Sequence, residues 1–153
     1  MLPIENSSPA EELADELADV PVELKPAPVE VIAAVVERNG RYLICQRPLH
    51  KRHGGLWEFP GGKVEPGETF FQAASRELSE ELALQVTSVG AVRFAQRDFD
   101  SPFQISFVDV SAAGEPVLHE HCALNWLTID ELLHVDLAPA DRQYVQVLFS
   151  LKL

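Results

Sequence analysis

Three glutamates, Glu77, Glu80 and Glu81, stand at i, i+3 and i+4. On a helix that spacing puts their Cβ atoms about 5–6 Å apart on one face, where like charges are destabilising. Arg76 is the one base close in sequence to offset them. A hard divalent cation turns such repulsion into coordination, because carboxylate oxygens suit Mg²⁺ or Mn²⁺. The pattern predicts a helix over 69–82, with Phe71, Ala74, Leu78 and Leu82 as a core-facing stripe on the opposite side. A glycine-rich loop, Gly61-Gly62-Lys63-Val64-Glu65-Pro66-Gly67-Glu68, leads into it. One face anchors the helix and the other offers charge; the plainer alternative is a solvated acidic face.

The chain has 153 residues, enough for one domain with a real core. It contains no run of about 18 apolar residues, so no membrane span is expected. Its beginning is acidic and lacks an apolar segment of the signal-peptide kind. Cys45 and Cys122 stand alone, without zinc-type or CxxC spacing, and a reduced, cytoplasmic setting is the expectation. The net charge of −12 argues against binding a nucleic-acid polymer. Yet most of the twelve Lys and Arg residues fall between Arg38 and Arg97, while Lys25 is the sole base among the first thirty residues. A basic middle beside a carboxylate cluster suits a small, metal-complexed polyanion.

In order along the chain, residues 1–28 read as an acidic extension. Ser8-Pro9-Ala10-Glu11 has the form of a capping box, Leu13, Leu17 and Val20 would share a helical face, and Pro26 and Pro28 mark a linker. The domain itself is expected over 29–153. Residues 29–38 read as one strand, Asn39-Gly40 as a hairpin turn and 41–46 as the returning strand, with Tyr42, Ile44 and Gln46 alternating against Leu43 and Cys45. A loop with Lys51 and Arg52 precedes the extended piece Trp57-Glu58-Phe59. Strands are expected over 85–97, 103–111 and 123–127, with a loop over 112–116. A capped short helix should begin at Thr128, and a last helix at Pro139 with Tyr144, Val145, Leu148 and Leu151 inward. Strands and helices mix without a repeated βαβ unit, which places the chain among α+β or layered α/β folds.

The central stretch resembles the Nudix hydrolase signature: glycine, five residues, Glu, seven residues, then Arg-Glu-apolar-x-Glu-Glu-x-Gly-apolar. Gly62, Glu68, Arg76, Glu77, Leu78, Glu80, Glu81 and Leu84 stand at those spacings, and Ala83 replaces the pattern's glycine. Leu56-Trp57-Glu58-Phe59-Pro60-Gly61-Gly62-Lys63 and Leu137-Ala138-Pro139-Ala140-Asp141 are similar to the MutT-like branch, which includes 8-oxo-dGTP and CTP pyrophosphohydrolases. The resemblance implies an α/β/α sandwich with a mixed β-sheet and a loop–helix–loop motif. It implies Mg²⁺-dependent hydrolysis (with Mn²⁺ as substitute) of a nucleoside triphosphate to monophosphate and pyrophosphate, on oxidised or modified nucleotides of the 8-oxo-dGTP or CTP kind. A small-molecule nucleotide substrate, no membrane partner and a monomer or homodimer complete the expectation.

The same resemblance assigns roles. Glu77, Glu80, Glu81 and the Gly61 carbonyl would hold the metal, joined by Glu120, which is also the candidate base. Arg76 and Glu68 would form an ion pair that fixes the loop. Arg47 and Lys63 would contact phosphates, the Phe59 region would line the base pocket, and Asp141 would read the base edge. His119 and His121, flanking Glu120, are expected at the surface. The family glycine would end the catalytic helix in a left-handed conformation, so Ala83 is expected to alter the helix exit without removing a ligand. Two alternatives stay open: a hydrolase of nucleotide sugars, ADP-ribose or dinucleotide polyphosphates, and a non-catalytic nucleotide sensor. The intact carboxylates speak against the sensor.

Overall fold

The computed structural model describes residues 27–97 and 101–152. The helix expected within the acidic extension lies outside the described residues. β1 (Val29–Val35) pairs in parallel with β7 (Phe103–Ala113) and antiparallel with β5 (Gly61–Lys63), and β7 pairs antiparallel with β6 (Gln85–Arg97). This gives a mixed sheet in the order β5-β1-β7-β6. A second sheet is built on β3 (Arg41–Gln46), which pairs antiparallel with β2 (Glu37–Arg38), β4 (Trp57–Glu58) and β8 (Ala123–Leu127). The expected single strand over 29–38 is therefore two. The chain passes from one sheet to the other at Val36, whose carbonyl accepts from the Leu43 N–H at 3.0 Å. The hairpin is as expected: Asn39 and Gly40 both take positive φ, 53° and 78°, the backbone that a two-residue turn of this hand requires.

Side-chain alternation splits the core in two. Ile32, Ala34, Val36, Leu43 and Cys45 face a cluster with Ala73, Ala74, Leu78 and Leu82 of α1 (Phe70–Leu82). Ala33, Val35, Tyr42 and Ile44 face the other cluster, with Phe59, Phe107, Leu132 and Tyr144. Strands whose two faces are both buried need helices on both sides. The second side is closed by α2 (Ile129–Leu132) and α3 (Pro139–Lys152), completing an α/β/α sandwich. Cys45 is buried and Cys122 exposed, and both are free thiols. No helix among the described residues is long and apolar enough to cross a membrane.

Several boundaries differ from expectation. β7 runs on to Ala113, because its last residues still pair with the start of β6. Leu151 is exposed, and Phe149 joins the expected Leu148 on the inner side of α3 instead. Phe71 is also exposed: Ala74, Leu78 and Leu82 are buried as expected, but Phe70 rather than Phe71 packs beside them, joined by Ala73. The place of this stripe sets the burial of the glutamates. Glu77 and Glu81 sit at i+7 and i+11 from Phe70, along the edge of the stripe, so Glu81 is buried and Glu77 half-buried while Glu80 is exposed.

Thr69 caps α1 with a reciprocal box to Gln72: its hydroxyl accepts from the Gln72 N–H (3.1 Å) and its own N–H donates to the Gln72 side chain (2.9 Å). At the other end, the helix exit is not altered as expected. Ala83 itself takes the left-handed conformation (φ 56°, ψ 30°) and its N–H reaches the Ser79 carbonyl at 3.0 Å. The conformation is preserved against the steric penalty of a Cβ, roughly 1–2 kcal/mol. Ala83→Gly is therefore expected to raise the unfolding free energy by about 1 kcal/mol and Tm by about 3 °C. Denaturant and thermal unfolding read this, with turnover unchanged.

Candidate active site

The glycines before α1 belong to a strand, β5, rather than to a free loop. Val31↔Lys63, Ile32↔Gly62 and Ala33↔Gly61 pair across β1. A Cβ on Gly61 would fall 1.9 Å from the Ile32 carbonyl oxygen, so only glycine lets the strand lie this close. A Cβ on Gly62 would fall 2.5 Å from the Glu77 carboxyl carbon. The two glycines thus admit the β1 backbone on one side and a carboxylate of α1 on the other. The Gly61 N–H donates to Glu81 Oε2 at 3.2 Å.

Arg76 ties this assembly together. Its Nε and Nη2 donate to the two oxygens of Glu68 at 3.0 and 2.8 Å, Nη1 to Glu77 at 2.7 Å, and Nη2 to the Lys63 carbonyl at 2.9 Å. Glu68 also accepts from the Glu65 N–H at 2.8 Å. These bonds, Arg76 first, pull the Glu68 carboxyl down to about 2. The pair fixes the loop to the helix and presents one face of Glu77. Glu81 is in the opposite condition. Burial first, then the charges of Glu77, Glu120 and Glu58, push its carboxyl up to about 9, against the Gly61 bond. Burial likewise raises Glu77, opposed by Arg76 and aided by Glu80 and Glu120.

Glu120 enters these interactions because its segment is sewn to the end of α1. The Val117 N–H donates to the Leu82 carbonyl (2.8 Å), the His119 N–H to the Glu81 carbonyl (3.1 Å), and the His119 ring contacts the Glu80 carbonyl at 2.9 Å. Among the described residues no three acidic, His or Cys side chains converge as a ready metal cage. The donor set nevertheless fits a hard divalent cation: oxygens only, surplus negative charge, and a buried carboxylate that favours its neutral form in the cation's absence.

Beside the carboxylates lies a cavity of about 530 Å³, within the usual range for small-molecule sites. Lys63, Arg47, Arg52 and Arg97 give it basic walls, Phe103, Ile105 and Ala138 apolar ones, and Gly62 borders it on the side of α1. Lys63 extends over the Phe103 ring, 5.7 Å from its centroid. Arg47 lines the cavity with its guanidinium held by Glu58 (3.0 Å) and its Nε bound to the Arg52 carbonyl (2.8 Å). Asp141 lines the far end. It is buried, and its Oδ1 accepts from the Phe59 N–H at 2.9 Å. Burial first, then the charge of Glu58, lifts the Asp141 carboxyl to about 8.

Two expectations need correction. The Phe59 ring does not line the cavity. It packs edge-on against Phe107 and Tyr144 (centroids 5.9 and 5.6 Å), and what it offers the site is its backbone N–H. His121 is not a surface residue: its side chain is 6% exposed and its Nε2 lies 3.2 Å from Glu58. Sequence reasoning missed Glu58, the acid joined to both Arg47 and His121. Its signal was the alternation of Trp57-Glu58-Phe59, which turns Glu58 to the side opposite the buried Phe59. Gln96, Phe103 and Ile105 gave no signal, and Arg97 only that of one base in the basic middle, because β6 and β7 bring them to the cavity only through their pairing.

A mixed α/β/α fold whose strand–loop–helix segment carries carboxylates along one helix edge beside a basic cavity is that of a metal-assisted phosphoanhydride hydrolase. Residues 26–148 match the NUDIX domain, and the chain belongs to that family and to its MutT-like hydrolases. It is 39% identical over 130 residues to the CTP pyrophosphohydrolase of Escherichia coli K12, spanning 81% of this chain and 93% of that one. It is 41% identical over 81 residues to the 8-oxo-dGTP diphosphatase of Proteus vulgaris, 52% of this chain and 72% of that one. Among solved structures, the E. coli ORF135 protein superposes with a TM-score of 0.69 at 40% identity, covering 81% and 90% of the two chains. The MutT NUDIX hydrolase of Burkholderia pseudomallei superposes at 0.65 with 28% identity, covering 79% and 98%. Enzymes of this family generally use divalent metal ions.

Two predictions follow from this geometry. Gly62→Ala should displace the Glu77 carboxylate and lower turnover at least about 100-fold with the fold retained, read by steady-state kinetics and circular dichroism. The second concerns Asp141, whose folded pKa, about 8, exceeds the ordinary 3.8. Between those values the folded protein holds the extra proton, so this group's contribution to stability falls as pH rises from about 4 to 8 and then levels off. Asp141→Asn should flatten that part of the pH–stability curve, measured by denaturant unfolding from pH 5 to 9.

Proposed function

We propose that this MutT-like Nudix hydrolase converts a nucleoside triphosphate to the monophosphate and pyrophosphate, with Mg²⁺ as its metal. The observation that carries the reading is that Gly62 forms part of the cavity wall while leaving the Glu77 carboxylate the space that a Cβ would take. A polyphosphate entering along Arg47, Arg52 and Lys63 then meets the carboxylate cluster. Glu77, Glu80, Glu81, Glu120 and the Gly61 carbonyl would hold Mg²⁺, which when bound supplies Lewis-acid neutralisation of phosphoryl charge and acidifies water. Arg76 keeps one Glu77 oxygen occupied and so orients the other. Glu120, exposed on its sewn loop, accepts the proton of the attacking water.

Base recognition falls to Asp141. An ionised carboxylate only accepts hydrogen bonds, but at about pKa 8 the group is protonated near neutrality and both donates and accepts. It therefore suits a base edge with an amino or ring N–H beside an acceptor. The amino group and ring nitrogen of cytosine form such an edge, as do the N7–H and O6 of 8-oxoguanine. The similarity to the E. coli CTP pyrophosphohydrolase over most of both chains supports cytosine nucleotides first, with oxidised dGTP next.

Product analysis with Mg²⁺ over CTP, dCTP, 5-methyl-dCTP, dGTP, 8-oxo-dGTP, ADP-ribose and nucleotide sugars tests the reading. Pyrophosphate release from at least one triphosphate is expected. Release from none of them, or preferential cleavage of ADP-ribose or a nucleotide sugar, overturns it. Glu81→Gln should lose at least about 100-fold in turnover, and unchanged turnover would remove Glu81 from the mechanism.

A further inference from the structure

We infer that His121 is a positioning residue that acts through Glu58 to fix the Arg47 guanidinium at the cavity wall. The connection is continuous. His121 Nε2 lies 3.2 Å from Glu58 Oε2, and Glu58 Oε1 lies 3.0 Å from Arg47 Nη1. Arg47 Nε in turn donates to the Arg52 carbonyl at 2.8 Å. Arg47, Arg52 and Glu58 all line the cavity, whereas His121 does not. The backbone sets the ring in place: the Cys122 N–H donates to the Gln46 carbonyl at 3.1 Å, beside the residue that carries the guanidinium.

Packing alone does not account for a histidine here. Its side chain is 6% exposed, and its Nδ1 is buried with no hydrogen-bond partner. An apolar ring of similar size would fill the space without leaving a buried polar atom unpaired. What the imidazole adds is the Nε2–H, which Glu58, an acceptor in its ionised form, receives. With both carboxylate oxygens engaged, Glu58 has one orientation, and so has the arginine it holds. A bidentate guanidinium is useful to a phosphate only when its plane is fixed, so fixing Arg47 strengthens binding more than it speeds chemistry.

This inference rests on reading the cavity as the nucleotide site, so its first test uses no substrate. His121→Phe keeps the volume and removes the donor; His121→Gln keeps an N–H within reach of Glu58. In ¹⁵N spectra of the arginine side chains, the wild type and His121→Gln should show restricted Arg47 Nη rotation, and His121→Phe should show averaged signals. Restricted Arg47 signals in His121→Phe overturn the inference. Should that variant not fold, His121→Asn, whose amide is too short to reach Glu58, takes its place. With whichever nucleotide the wild type cleaves, His121→Phe should raise KM about tenfold with kcat within about twofold, and His121→Gln should recover most of the loss. In an Arg47→Ala background the His121 change should add nothing. An unchanged KM, a fall confined to kcat, or full additivity with Arg47→Ala each overturns the positioning role. If no triphosphate is cleaved, the proposed function fails while the spectra still decide the inference.

Discussion

The structure depends on the absence of side chains at Gly61 and Gly62. With no Cβ in the way, a strand backbone lies against the Ile32 carbonyl and a carboxylate from the following helix lies against the strand. Two layers that would otherwise be held apart by side-chain volume meet at backbone distance. Burial of the Glu81 carboxyl beside the Gly61 N–H is the electrostatic result. An unpaired buried carboxylate is costly, and such a group is retained where another charge is to be received.

The segment from Glu58 to Lys63 organises the whole site. Glu58 holds Arg47 and His121, and the Phe59 N–H holds Asp141. The Gly61 N–H meets Glu81, Gly62 receives Glu77, and the Lys63 carbonyl receives Arg76. At about 3.3 Å per extended residue, this segment spans the distance from the Asp141 carboxyl to the carboxylates of α1. The two ends are also coupled through charge, since Glu58 raises both Glu81 and Asp141. Because backbone groups make several of these contacts, many side-chain replacements along the segment would leave the scaffold of the site intact, and the glycines would not tolerate one.

Much of this was legible in the chain because local rules coincide with global ones. The Asn39-Gly40 turn, the Thr128 cap and the period-two alternation of 41–46 depend on neighbours in sequence. The carboxylate helix was legible as charge at helical spacing, although its burial was not. Glu81 lies at the edge of a stripe whose Ala74, Leu78 and Leu82 stand where expected, and how deep that edge is buried is set by what the sheet offers to pack against. Glu58 and His121 were illegible for a similar reason. Their meaning lies in a contact 63 residues apart in sequence, with no local pattern to announce it. Phe59 misled because an aromatic beside a site looks like a pocket wall, and only the packing of Phe107 and Tyr144 shows that its ring is already occupied.

The two-sided burial of β1 carries a consequence for how such a chain can change over time. Ile32, Ala34 and Val36 enter one core while Ala33 and Val35 enter the other, and the same strand sets the register of Gly61 and Gly62. Inserting or deleting one residue in it exchanges the occupants of both cores and slides the glycines off their partners. Only a change of even length restores the facing of its side chains, and even that moves the glycines off their partners, so β1 acts as a parity check on the lineage. By contrast, the exposed turn at Asn39-Gly40 and the loop carrying Glu115 lie outside that check and are free to drift.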